Sequence, residues 1–287
     1  MRWEGRAESD NVEDRRGLRI PGGPAGVGCG GLLLVMVISL LTGADPRQLL
    51  AVLGLVQQVA PQVTQQRVPD AAPPADDPQA RFVRVIVKDT ENVWTQVFEK
   101  GGHAYRKPHL VLFSDRVESA CGLASAAVGP FYCPADSKVY LDMAFFRELQ
   151  DRFRAPGDFA RAYVIAHEIG HHVQNLLGLS DQVTRAQQRA GSREQANQYS
   201  VRLELQADCF AGVFGHYDQQ YLDPGEAEEG LRAAAAIGDD NMQRQSQGYV
   251  APESWTHGSS AMRVRWLRKG LETGDIGSCD TFRAPQI

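Results

Sequence analysis

Residues 166–171 read Ala-His-Glu-Ile-Gly-His, and no other stretch constrains the chain as tightly. On a helix, positions four apart share a face, so His167 and His171 can direct their rings at one ion. Glu168 lies about 100° around the same helix and can reach a water on that ion. The flanks supply the helix. Asp158, after Pro156-Gly157, reads as its N-cap, and Gly178 reads as its C-cap. Phe159, Ala162, Tyr163, Ala166, Ile169, Gly170 and Val173 recur at helical spacing between them. The small residues Ala166 and Gly170 allow another element to approach the metal face. Two surface histidines on an amphipathic helix are the alternative, and Glu168 between them favours the metal.

A catalytic zinc ion needs three protein ligands and an open position. Beyond the first helix the candidates are His216, His257 and several acids. Residues 192–217 read as one long helix, opened by a capping box between Ser192 and Gln195. Within it Glu204 and Asp208 are four apart and can both face the histidine helix. Glu204 is the expected third ligand. Asp208 is expected to accept a hydrogen bond from a ligand histidine and fix its tautomer. Ala207, Cys209, Phe210, Ala211 and Gly212 argue against a solvated face here.

The 287 residues suffice for one large domain or two small ones, and 43% hydrophobic residues can fill a core. A net charge of −5 gives no footprint for nucleic acid. Residues 1–25 are polar, with five arginines and five acids, and predict a disordered tail. Residues 20–44 carry no charge, and this run of 25 is long enough to span a bilayer. The Gly- and Pro-rich front sets the expected transmembrane helix at 26–44. The arginines before it place the tail in the cytoplasm and the remainder outside. A cleaved signal ending at Thr42-Gly43-Ala44 and a buried core helix are the competing readings. Residues 45–78 form a juxtamembrane segment, apolar and Gln-rich at 49–59, then a Pro-rich linker. An extracytoplasmic domain follows at 79–287. Cys29 falls in the apolar run; the other four cysteines suit an oxidising compartment and permit three pairings. Proximity favours Cys121 with Cys133, leaving Cys209 with Cys279. No C-x-x-C zinc site occurs.

Within the domain, 81–87 is β-branched and reads as a strand or as part of the first helix, with 90–100 helical. Residues 107–114 and 138–142 read as strands and 145–153 as a helix. Residues 122–132 are a candidate sheet edge for an extended peptide, or equally a disulfide-closed loop. Asp223-Pro224 opens a helix that runs to Ile237. Residues 238–241 read as a plain turn, and Arg263, Arg265, Arg268 and Lys269 as a solvated basic face, although Arg263 could instead orient Asp208 or Glu204. His172 points away from His171 and suggests structural or surface use. His103, His109 and His216 have no supporting pattern.

HEIGHH at 167–172 followed by LELQADCFAG at 203–212 resembles the bacterial family of neutral zinc metallopeptidases. The resemblance extends to the start MRWEGRAESDNVEDRRG, to GPFYCPAD at 129–136 and to THGSSAMR at 256–263. More distantly the pattern is similar to membrane-bound gluzincins, with HExxH and then a helix bearing ExxAD. The resemblance implies an α+β fold: a mainly helical zincin-like domain with a small β-sheet, preceded by one transmembrane helix. It implies zinc on His167, His171 and Glu204, with Glu168 as the base. It gives His257 an oxyanion-stabilising role, at a helix N-terminus that biases it towards neutrality. The function expected is a membrane-anchored endopeptidase that cleaves peptide or protein substrates in the cell envelope by metal-activated water. The alternative is a catalytically inactive, metal-stabilised envelope scaffold or binding protein.

Overall fold

Asp77 and Pro78 start the first long helix: the Asp77 side chain accepts from the Gln79 amide, and proline occupies the first turn, where no amide partner is needed. This computed structural model describes residues 1–17, 76–125 and 129–287. The expected transmembrane helix at 26–44 and nearly all of the segment at 45–78 lie outside the described residues. Among the described residues no helix is long and apolar enough to cross a membrane.

In chain order the elements are β1 (Val12–Asp14), α1 (Pro78–Lys100), β2 (His109–Phe113), β3 (Arg116–Ser119), β4 (Gly122–Ser125), β5 (Phe131–Cys133) and β6 (Lys138–Asp142). Helices α2 (Ala144–Asp151), α3 (Asp158–Leu176), α4 (Leu179–Gln188), α5 (Arg193–Tyr217), α6 (Glu226–Ala236), α7 (Asp239–Gln247) and α8 (Ser260–Thr273) follow. This is the expected mainly helical α+β arrangement. The sheet order is β1-β2-β6-β5, with β1, β2 and β6 parallel and β5 antiparallel at one edge. Strands β3 and β4 form a separate hairpin. Leu110, Leu112, Val139 and Leu141 face the helices, while Val111, Phe113 and Tyr140 form a second small core with Val117 and Cys133.

The ambiguous residues 81–87 are helical. Phe82, Val83, Ile86 and Val87 are all fully buried, because α1 is surrounded on most of its circumference. That burial erases the polar stripe by which a helix is recognised. Two helices escape sequence reading for the opposite reason: α4 buries only Val183, and α7 buries nothing. Helix α7 occupies 239–247, correcting the plain turn expected at 238–241. Helix α6 starts at Glu226 with Gly225 as its cap, slightly later than Asp223-Pro224 suggested.

The disordered tail expected at the N-terminus is corrected over residues 1–16. β1 joins the sheet beside β2 with Val12 opposite Leu110, and Met1 and Ser9 are buried. The arm is polar, but several of its polar groups have fixed partners. Arg6 lies 2.6 Å from Asp89 and 3.5 Å from Asp218, with its guanidinium over the Tyr221 ring. Asn11 donates to Glu91, and Trp3 donates to Asp158 and packs edge-on against Phe82. Low apolar content forecasts disorder only where polar groups lack fixed partners.

Burial and the neighbouring Asp218 push the Asp89 carboxyl up to about 8, against the pull of Arg6. Arg6→Ala should therefore destabilise the domain by roughly 3 kcal/mol in denaturant unfolding, because the buried Asp89–Asp218 carboxyl pair loses its cation. A disordered arm would give no change. Asp89 has an ordinary value of 3.8, so between about 4 and about 8 the folded state keeps a proton that the unfolded state has released. The stability of the wild type relative to Asp89→Asn should fall as pH rises through that window, as read by paired melts.

Candidate metal centre

The centre forms where α3 crosses α5. A Cβ on Gly170 would come within 3.1 Å of the Ala207 carbonyl oxygen, so the close approach needs glycine there, as the sequence suggested. At its start α3 is capped by Gly157, one residue before the expected Asp158, which lies in the first turn instead. Gly157 has φ of 124°, and a Cβ there would strike the Glu229 carboxylate, which accepts from the Phe159 amide. Helix α5 opens on the predicted Ser192 cap.

His167, His171 and Glu204 come together, with one ligand atom of each within 4.8 Å of the others. The Nε2 atoms of His167 and His171 lie 3.1 and 3.4 Å from the two Glu204 oxygens. Two ligands of a tetrahedral zinc ion at ordinary bond lengths sit roughly 3.4 Å apart, so the donor set matches that ion in type and spacing. The second nitrogens fix the tautomers. His167 Nδ1 donates to Asp208 Oδ1 at 2.9 Å, as expected of Asp208. His171 Nδ1 donates to Gln174 Oε1 at 2.8 Å. Both Nε2 lone pairs are thereby left for a metal.

Gln174 was not read from the sequence. It is fully buried and donates to the Leu203 carbonyl and to Gln206, so its oxygen is aimed at His171. Its position three residues after a ligand histidine was the available signal.

Asp208 is the anchor of a buried network. Arg263 donates to both of its oxygens at 2.9 Å, and Tyr163 donates to Oδ1 at 2.6 Å. Arg263 is 3% exposed, which corrects the solvated basic face expected of it. It arrives on α8, which meets α5 where Gly212 and Gly270 face each other with no room for a Cβ. The disulfide Cys209–Cys279 ties α5 to the turn that follows α8, and Cys121–Cys133 forms as expected. Burial works against the Asp208 charge, but Arg263 and His167 hold its carboxyl down near 2. Burial likewise opposes charge on His167, yet Asp208 and Glu204 raise it to about 10, so a cation binding there competes with a proton.

A cavity of about 670 Å³ opens on the donors. Glu168 lines it beside His171. His257 lines it as well, and its amide and Nδ1 donate to Asp239 at the start of α7. Sequence reading biased His257 towards neutrality. In the structure Glu204 and Asp239 outweigh burial and favour its charged form, because it lies outside the first turn of α8. Phe131 and Tyr132 of the edge strand β5 line the opposite wall. The sheet edge beside the donors is therefore β5, while 122–125 belongs to the separate hairpin, joined to β5 through Cys121–Cys133.

His172 has a structural use. Its Nε2 donates to the Arg106 carbonyl at 2.6 Å, so Nδ1 accepts from the Tyr132 hydroxyl at 3.1 Å. Burial lowers it to about 4, and in this neutral form it pins β5 to α3. His216 serves packing, through the Leu271 carbonyl.

The model of a family described as "Putative neutral zinc metallopeptidase" matches residues 1–282. The chain belongs to that family. It is 46% identical to "Uncharacterized protein YpfJ" of Escherichia coli (strain K12) over 295 residues, covering 98% of this chain and 99% of that protein. It is also 46% identical over 220 residues to "Uncharacterized protein Rv2575" of Mycobacterium tuberculosis (strain H37Rv), covering 72% of this chain and 73% of the relative. No solved structure matches. The family model spans the arm as well as α3, α5 and α8, the three helices that build this centre.

Removing either tautomer lock should weaken the metal without removing a ligand. Gln174→Ala and Asp208→Asn are each expected to lower zinc affinity about 10–100-fold in competition with a chromophoric chelator.

Proposed function

We propose that the protein is a zinc-dependent endopeptidase that hydrolyses peptide bonds of peptide or protein substrates in the cell envelope, held at the membrane through its apolar run. The observation that carries this reading is the convergence of His167, His171 and Glu204, with Glu168 facing the same cavity.

Zinc bound by these three side chains would supply Lewis-acid polarisation of a water and of the scissile carbonyl. The remaining steps fall to the chain's own residues. Glu168 accepts the proton of the attacking water on its carboxylate and delivers it to the leaving amine nitrogen. His257, biased towards its charged form, donates to the carbonyl oxygen as negative charge develops on it. Arg263 and Tyr163 hold Asp208 in place, so the His167 ring keeps its orientation through the reaction.

Substrate placement follows from β5. One side of this strand pairs with β6, and β5 ends the sheet beside the cavity. An extended peptide can add to that edge by main-chain hydrogen bonds. Phe145, Phe153, Val164 and Val183 line the wall and would take an apolar side chain of the peptide.

Glu168→Gln should keep its zinc and lose peptide hydrolysis by at least about 100-fold, because the proton carrier is gone while the ligands remain. Glu204→Gln should instead lower the zinc content found by elemental analysis. Retained turnover in Glu168→Gln sinks the mechanism. Full zinc with no cleavage of any peptide library by the wild type would leave the metal-stabilised scaffold instead.

A further inference from the structure

The uncharged run at 20–44 would be read from sequence as a single crossing, with the N-terminal arm on one side of a membrane and the domain on the other. The arm's packing is incompatible with that arrangement. A chain that crosses a bilayer once leaves its two flanks on opposite faces. Here the flanks touch: Arg16 Nη1 lies 2.6 Å from Asp77 Oδ2, directly before the first turn of α1. The arm reaches this point as a strand of the sheet, in register with β2 from Val12 to Asp14. Its Arg6 lies between two carboxyl groups, Asp89 and Asp218, buried inside the domain.

We infer that residues 1–16 and the domain lie on the same face of the membrane. This rests on the membrane attachment proposed above. The argument is one of parity. Residues 17–76 leave the domain and return to it, so the number of crossings between them is even. A helical crossing needs about 20 apolar residues. The run at 20–44 is the only stretch of that length there, since 49–59 offers 11 residues interrupted by Gln57 and Gln58. One spanning stretch supplies one crossing, which parity excludes.

The arm cannot be treated as an optional attachment that yields to a transmembrane orientation. Detaching it strands Asp89 and Asp218 without a counter-ion, exposes Phe82 and Leu110, and removes one strand of four. The two disulfides suit an oxidising compartment, which places the shared face outside the cytoplasm.

The test uses the full chain, with Cys29→Ser to remove the thiol in the apolar run. Glu8→Cys reports the arm and Arg283→Cys reports the domain; both side chains are accessible, at 38% and 92%. Each variant is treated in spheroplasts with a membrane-impermeant maleimide, before and after permeabilisation. The expected result is a membrane-bound protein in which both positions react before permeabilisation. Reaction of one position before and the other only after it overturns the inference while leaving the membrane attachment intact. Recovery of the unmodified protein in the soluble fraction overturns the attachment, and the inference with it.

Discussion

A carboxylate with no access to water sits at the junction of three helices, and the metal centre depends on it. Asp208 takes two hydrogen bonds from Arg263, one from Tyr163 and one from His167. Each of these partners comes from a different turn or a different helix, so the bonds cannot all form until α3, α5 and α8 are docked. A buried ion pair of this kind adds little net stability compared with apolar packing, but breaking it is costly. Its use here is geometric. It sets the direction of the His167 lone pair, much as Gln174 sets that of His171.

The close helix crossings make that geometry possible. Gly170 against Ala207 brings the two histidines onto Glu204, and Gly212 against Gly270 brings Arg263 onto Asp208. A single methyl group at Gly212 or Gly270 would collide with backbone, which cannot move aside as a side chain can. The cavity is thus bounded by rigid helices on one side and by β5 on the other, with His172 joining the two through Tyr132.

Much of the centre was legible in the chain because helical spacing is a local property. His167 and His171, and then Glu204 and Asp208, each follow from positions four apart on one helix. The pairing of the two helices needed only that both faces carry complementary chemistry. Gln174 was not legible in the same way, and for Arg263 a contact with Asp208 was only one of two readings. A glutamine among polar residues gives no sign of being buried, and an arginine among other basic ones gives little, until its partner is known. The arm at 1–16 was misread for the same reason. Its charges look solvated in isolation, yet Arg6, Asn11 and Arg16 all have fixed partners more than 60 residues away. The surface helices α4 and α7 were missed because they bury almost nothing, so the apolar period that reveals a helix is absent from them.

What the sequence determined by itself was the donor set: two imidazoles and a carboxylate able to meet, with Glu168 beside them, fixed by residue type and helical period. The tertiary structure decided which buried groups orient those side chains, which strand borders the cavity, and that the N-terminal arm is a strand of the sheet. These belong to contacts between residues far apart in the chain. Desolvation makes such contacts decisive, since a buried charge must find its counter-ion wherever the fold brings one, and local sequence carries no record of that distance.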